Sequence, residues 1–270
     1  MTIPVVFIHE GDQDYLKVAI RQARRRNSRV VLIGDKSNGS FGADEHGLVK
    51  QLRSQHFADT YQHMSHNHAE GALRGMMRWF VLLEWMERSH QDVAFYCDSD
   101  AMLYCDVSEF LATYPVGWAA SLQIPQKPLW LASASGHFSA WTKDALRSFR
   151  AFLEGMYTTE RGLSVLRTKW AWHMLTNTPG GVGDMTHLFL WSLGKPIINN
   201  AKVLQGAVFD HNINIPANYT EDEYRMNGAI KDIIVDGPGD YWLWRGGERI
   251  RVNGLHFQGQ AKRLMEEYEG

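Results

Sequence analysis

The chain has 270 residues, 44% apolar and 21% charged, with a formal net charge of -2. That is enough chain for one large α/β core, and the near-neutral balance excludes a general polyanion binder, so no nucleic-acid partner is expected. Two cysteines, and an opening apolar stretch too short for a signal peptide or a transmembrane segment, predict a cytoplasmic protein in a reducing compartment.

In chain order, Ile3 to His9 is apolar and β-branched and reads as a buried strand. Asp12 to Arg26 sets Leu16, Ala19, Ile20 and Ala23 at helical spacing, with Asp12 as the expected cap. Arg29 to Ile33 is a second buried strand, so the order is β-α-β and the sheet is parallel. Gly39 to His68 predicts a long loop with one short strand near His56 to Ala58. Glu70 to Arg88 is a helix apolar on most sides, which must be largely buried. Asp92 to Cys97 is another apolar strand, and Asp106 signals a helix starting near Ser108.

Further on, Val116 to Leu122 and Leu129 to Trp141 read as strands. Helices are expected at Lys143 to Met156, Arg161 to Leu175 and, after a glycine-rich turn, Asp184 to Leu193. Ile230 to Leu255 predicts short antiparallel strands with turns at Asp236–Gly239 and Gly246–Gly247, and a short helix follows Gly259. No linker rich in Pro, Gly or Ser divides the chain. It reads as a single domain, 1–270, in two halves, 1–106 and 107–270.

The chemistry-bearing signal is Asp98-Ser99-Asp100, directly after the apolar strand. Ligands of open α/β sheets bind beyond the carboxyl ends of strands. Residues two apart on an extended chain point the same way, so the two carboxylates would converge and need a cation between them. Mg²⁺ or Mn²⁺ suits such oxygen ligands. Near the C-terminus, His256 falls on the inward face of Ile250 and Val252 and could complete the metal shell. Gly259 would let a phosphate approach the backbone, and Lys262 would add a point charge for it.

These pieces resemble the GT-A-fold glycosyltransferases, in particular their glycogenin-like branch. Asp98-Ser99-Asp100 matches that family's D-x-D motif, and His256-x-x-Gly259-x-x-Lys262 its H-x-x-G-x-x-K motif, although Arg263-Leu264 stands where the branch has Pro-Trp. The resemblance implies an α/β, GT-A-like (Rossmann-like) fold: a mixed, mostly parallel sheet flanked by helices, with a small antiparallel C-terminal part. It implies a UDP-sugar donor, a saccharide or other hydroxyl acceptor, and an Mn²⁺ or Mg²⁺ ion held by Asp98, Asp100 and His256. The half 1–106 would bind the nucleotide and the half 107–270 the acceptor.

By the same resemblance, Phe7, Ile8 and His9 would hold base and ribose, with plain core an equal reading for Phe7 and Ile8. Asp35 would accept from the base or cap its own turn. Arg78, sharing a helix face with Arg74, would meet the diphosphate or structural acids, and Ser99 would line the donor site. Asp184 would cap a helix, contact sugar hydroxyls or activate the acceptor; His187 is a weaker base candidate. The run His63-x-x-His66-x-His68 has metal-like spacing but reads as a solvated loop or a lid. Two rival functions are a sugar-phosphate nucleotidyltransferase and a non-catalytic sugar- or metal-binding module. The first needs a basic, glycine-rich first turn where this chain has His9-Glu-Gly-Asp12. The second needs neither both metal motifs nor a phosphate-binding lysine.

Overall fold

The computed structural model describes residues 2–52, 55–125, 133–219 and 223–270. The chain order begins with β1 (Val5–Ile8), α1 (Asp14–Arg26), β2 (Val30–Gly34), β3 (Glu45–Leu48), α2 (Gln55–Thr60), α3 (Ala69–Arg88), β4 (Val93–Cys97), β5 (Ala101–Leu103) and α4 (Val107–Ala112). It continues with β6 (Ala120–Leu122), β7 (Phe138–Thr142), α5 (Lys143–Thr158), α6 (Glu160–Thr176), α7 (Asp184–Ser192), β8 (Ile197–Asn199) and β9 (Ala207–Phe209). The C-terminal part holds β10 (Met226–Asn227), β11 (Ile230–Lys231), β12 (Ile233–Gly237), β13 (Asp240–Arg245), β14 (Glu248–His256) and a 3₁₀ segment at Gly259–Tyr268.

The result is a mixed α/β fold. A seven-stranded sheet runs β3-β2-β1-β4-β7-β6-β8, and only β7 is antiparallel to its neighbours. A second, mainly antiparallel sheet runs β12-β13-β14-β5, with β9 parallel to β14. Strand alternation sorts the core into two layers. Val5 and Phe7 of β1 face α1 and the second sheet, whereas Val6 faces α3, α5 and α7. Helix α3 buries nine apolar side chains, Trp79 and Phe80 among them, each contributing about 1.5–3 kcal/mol when taken from water. Trp79, Trp141 and Trp191 pack on one another in this layer, so these three tryptophans serve the core.

Several expectations need correction. Residues 55–60 form a helix, not a strand; Phe57 buries its ring against Phe80, and the strand of this region is β3 at Glu45–Leu48. Asp12 does not cap α1, which starts after Gln13 without a side-chain cap. Asp106 does cap α4, accepting from the N–H groups of Ser108 and Glu109. The predicted strand from Leu129 forms only over Phe138–Thr142, and its 129–132 part lies outside the described residues.

The link between the two sheets positions the site. Strand β4 belongs to the first sheet and β5 to the second, and Asp98 to Ala101 connect them by a turn closed by Ala101 N–H donating to the Asp98 carbonyl at 3.1 Å. The chain therefore does not stay extended through Asp98-Ser99-Asp100. Strand β14 pairs with β5 in the register His256 to Ala101, which carries the C-terminal histidine beside the acids. Gly254, two residues earlier, lies so close to the Phe138 ring that a Cβ there would sit 2.5 Å from it, so the strand reaches this position only with glycine.

Candidate functional site

Asp98, Asp100 and His256 each offer a ligand atom within 4.8 Å of the others, and no other such group of three occurs among the described residues. The carboxylates thus converge, but through the turn rather than by strand alternation. His256 is 4% exposed, on the buried face of β14 as its alternation predicts. Its Nδ1–H donates to the His211 carbonyl at 2.7 Å, which leaves Nε2 facing Asp100 Oδ1 at 3.3 Å. The His137 ring stacks on it with centroids 4.2 Å apart.

Asp100 also pairs with Lys262 at 3.1 Å, and Lys262 lies over the Tyr15 ring. Burial alone would raise the Asp100 carboxyl, but the hydrogen bond from His256, then the charges of His256 and Lys262, bring it down to about 2. Burial likewise opposes a charge on His256, yet the Asp100 hydrogen bond and charge outweigh it and hold the imidazole above its ordinary value. His137 and His211 have no acid partner of that kind. Burial keeps the first well below the usual histidine range and the second at about 3, with the charge of His256 pushing the same way.

The donor set fits a hard divalent ion: two carboxylates plus one imidazole whose Nε2 carries a lone pair once its proton leaves. Stability without metal and affinity for metal then respond to pH with opposite signs. The raised value of His256 gives stability that is fully present below its unfolded value near pH 6.5 and is lost as pH rises through the folded value. Metal must displace the Nε2 proton, so Mn²⁺ affinity is expected to fall about tenfold per unit as pH drops below that folded value. Mn²⁺ titrations across this range test it, and an affinity flat with pH would remove His256 from the ligand set.

Asp98 stands at the other end of the turn. Its Oδ1 accepts from Tyr96 Oη at 2.5 Å and Arg78 Nη1 at 2.6 Å. Arg78 also donates from Nη2 to Asp184 Oδ2 at 2.6 Å and from Nε to the Gly75 carbonyl at 2.9 Å. Burial opposes its charge, but the negative charge of Asp184 leads the groups that hold the guanidinium well above its ordinary value. Arg78 is thus paired with two acids, Asp98 and Asp184. Arg74, on the same helix, is exposed and pairs with Glu70. Tyr96 escaped the sequence reading, although its place two residues before Asp98 on β4 puts the two on one face.

Two cavities meet at Arg78. The first, of about 370 Å³, is lined by Ile8, His9, Arg78, Asp98, Ser99 and Asp100 among others. Phe7 is fully buried in the layer on the α1 side of the sheet and does not line it. Asp35 lies outside it: one carboxylate oxygen accepts from Gly11 N–H and the other from Ser37, so its hydrogen bonds shape the loop. Gly259 opens the 3₁₀ segment with φ +59°, and no heavy atom would crowd a Cβ there within 4 Å, so backbone conformation rather than space asks for glycine.

The second cavity, of about 660 Å³, lies across α3 between the 65–68 loop, α6 and the start of α7. Asp184 lines it; its Oδ1 accepts from Met185 N–H, so the same carboxylate holds the helix start and Arg78. Lys169 donates to Thr186 Oγ1 at 2.8 Å, and burial pushes its ammonium down to about 8. One turn on, His173 gives its Nδ1–H to the Thr178 carbonyl, and its buried Nε2 has no partner. His187 does not line the cavity; it stacks on Tyr157, donates from Nδ1 to the Gly183 carbonyl, and burial lowers it to about 4. The His-rich loop is tied to the glycine-rich turn: Val182 N–H donates to the Met64 carbonyl and His66 N–H to the Gly180 carbonyl.

No family model matches the chain, and no curated protein does. Among solved structures it is similar to mouse xyloside xylosyltransferase 1 (TM-score 0.49, 9% identity), covering 72% of this chain and 82% of that one. It is also similar to the galactosyltransferase LgtC in complex with donor and acceptor sugar analogs (TM-score 0.39, 12% identity, 72% of each chain). A third is the glycosyltransferase GlyE of Streptococcus pneumoniae TIGR4 (TM-score 0.40, 11% identity), covering 74% of this chain and 46% of that one. These likenesses are too distant to assign an activity, which has to come from the chain's own geometry. No helix among the described residues is long and apolar enough to cross a membrane.

Proposed function

We propose that the chain is a metal-dependent glycosyltransferase, built as a single GT-A-like unit, that moves a sugar from a UDP-sugar to a hydroxyl acceptor. The observation that carries this reading is the convergence of Asp98, Asp100 and His256 beside a cleft lined by the ends of β1 and β4. Asp98, Asp100 and His256 would hold Mn²⁺ or Mg²⁺. Such an ion, when bound, supplies a Lewis acid for the charge that grows on a leaving diphosphate.

The chain's own residues divide the remaining work. Ile8 and His9 line the cleft where base and ribose would lie, and Asp35 shapes its far loop. Ser99 lines the same cleft, and Gly259 and Lys262 add an open backbone and an ammonium on the Asp100 side, where a diphosphate would sit. Arg78 holds Asp98 and Asp184 in fixed geometry and keeps cationic charge between the two cavities. Asp184 faces the second cavity, where it would take sugar hydroxyls. Burial of such groups excludes water and strengthens their electrostatics in the transition state.

The test is ligand-dependent melting. Mn²⁺ with UDP is expected to raise Tm by several degrees, since saturation at one hundred times Kd contributes about 2.7 kcal/mol and each kcal/mol moves a chain of this size by roughly 2–4 °C. UDP without metal should do little. No UDP effect at saturating Mn²⁺ would end the reading.

A further inference from the structure

One buried ionic group plays no part in the chemistry above. Lys231 and Asp210 are both fully buried, and Lys231 Nζ donates to Asp210 Oδ1, to Asn218 Oδ1 at 2.7 Å and to the Asn212 carbonyl at 3.2 Å. Its three protons are thus spent on three points of one loop. Its backbone N–H donates to the Ile213 carbonyl at 2.7 Å, and Asn218 Oδ1 also accepts from His211 N–H at 3.0 Å. Asp210 Oδ2 is left without a partner. Such a pair is a poor source of stability, because well-packed apolar residues of similar volume usually do as well.

The loop it staples grips His256 at two points. The His211 carbonyl takes the imidazole Nδ1–H, and Ile213 N–H donates to the His256 carbonyl at 3.1 Å. The Asp210 carbonyl accepts from Nε2 of His137, whose ring stacks on His256. We propose that Lys231 and Asp210 are positioning residues that fix the 210–213 arch, so that His256 presents Nε2, and not Nδ1, to Asp98 and Asp100. The inference rests on the metal reading of that triad. It adds that the tautomer and aim of the imidazole are set before any ion arrives, by a charge pair on the far side of the arch.

The variant Lys231→Met with Asp210→Asn removes the charges together and avoids stranding one of them. Nitrogen NMR of ring-labelled histidine, followed with rising pH until the ring signals stop changing, should show His256 protonated at Nδ1 in the parent and mixed between nitrogens in the variant. Mn²⁺ affinity should fall roughly tenfold to a hundredfold. A purely structural pair would lower Tm and leave both readouts alone, and that result overturns the proposal. Should the double variant not fold, Asn218→Ala removes one leg of the staple and keeps the ion pair; it should show the same two changes, more weakly, and parental behaviour in it overturns the proposal equally. A parent protein that binds no Mn²⁺ defeats the metal reading, whereas the tautomer comparison still decides the arch.

Discussion

Replacing Asp100 by Asn is expected to weaken Mn²⁺ binding on the order of a hundredfold or more, and to lower UDP-sugar turnover by roughly 10²–10³. The side chain keeps its size, so the loss isolates charge. Asp100 faces both His256 Nε2 and Lys262 Nζ, and with its charge gone the Lys262 ammonium would face the ion's place without its carboxylate partner. His256 would also lose the partner that holds it above its ordinary value, so burial would prevail and the ring would turn neutral. Asp106→Asn provides the contrast. It alters an acid close by in sequence that caps α4, so at most about 1 kcal/mol of stability should change and metal affinity should not. Titration of Mn²⁺ by electron paramagnetic resonance and release of UDP are the measurements. An Asp100→Asn protein that binds Mn²⁺ as the parent does would remove Asp100 from the ligand set.

Arg78→Met should destabilise the protein by about 3–5 kcal/mol, because it strands two half-buried carboxylates at once. Arg78 is 22% exposed, so solvent relieves only part of this. A particular signature is expected in melting curves: Mn²⁺ should restore part of the loss, since an ion between Asp98 and Asp100 supplies the charge that the guanidinium gave. The Asp184 side has no such substitute, so turnover should stay low even at saturating Mn²⁺. Arg78→Lys keeps one charge but cannot reach Asp98, Tyr96 and Asp184 together, and should fall between the two. Equal melting of parent and methionine proteins without metal would show that Arg78 does not hold these acids.

Much of this was legible in the residues. Long apolar or strongly periodic stretches read correctly: β1 and β2 from their β-branched runs, β4 and α3 from their apolar content, α1 from helical spacing, and the β12–β14 hairpins from Asp236–Gly239 and Gly246–Gly247. Short elements held by long-range pairing were not legible. Strand β3, Glu-His-Gly-Leu, carries no β-branched residue and exists because it extends a parallel sheet beside β2. Strand β5 has three residues, and its pairing with β14 cannot be read locally. Motif spacing points to the triad, yet nothing in Asp98-Ser99-Asp100 itself distinguishes the turn that unites the two acids from extended chain. The cage beneath His256 left no pattern at all, since Asp210, Asn218 and Lys231 meet only in the folded protein.

The backbone bridge between Ser65 and Gly181 bears on how the molecule is assembled. A Cβ at 181 would lie 2.5 Å from the Ser65 Cα, so the two strands of chain touch directly. The contacting segments are over a hundred residues apart, with Ser65 Oγ reaching the Gly180 carbonyl across 115 positions. Closing so long a loop costs entropy that is recovered only when both sides are already formed. Strands β1, β2 and β3, which pair over far shorter stretches of chain (Val5 with Val30, Val31 with Glu45), should therefore acquire protection early in refolding, and the amides of Val182 and His66 late. Pulsed hydrogen exchange would then find β1 to β3 maturing ahead of the wall of the second cavity.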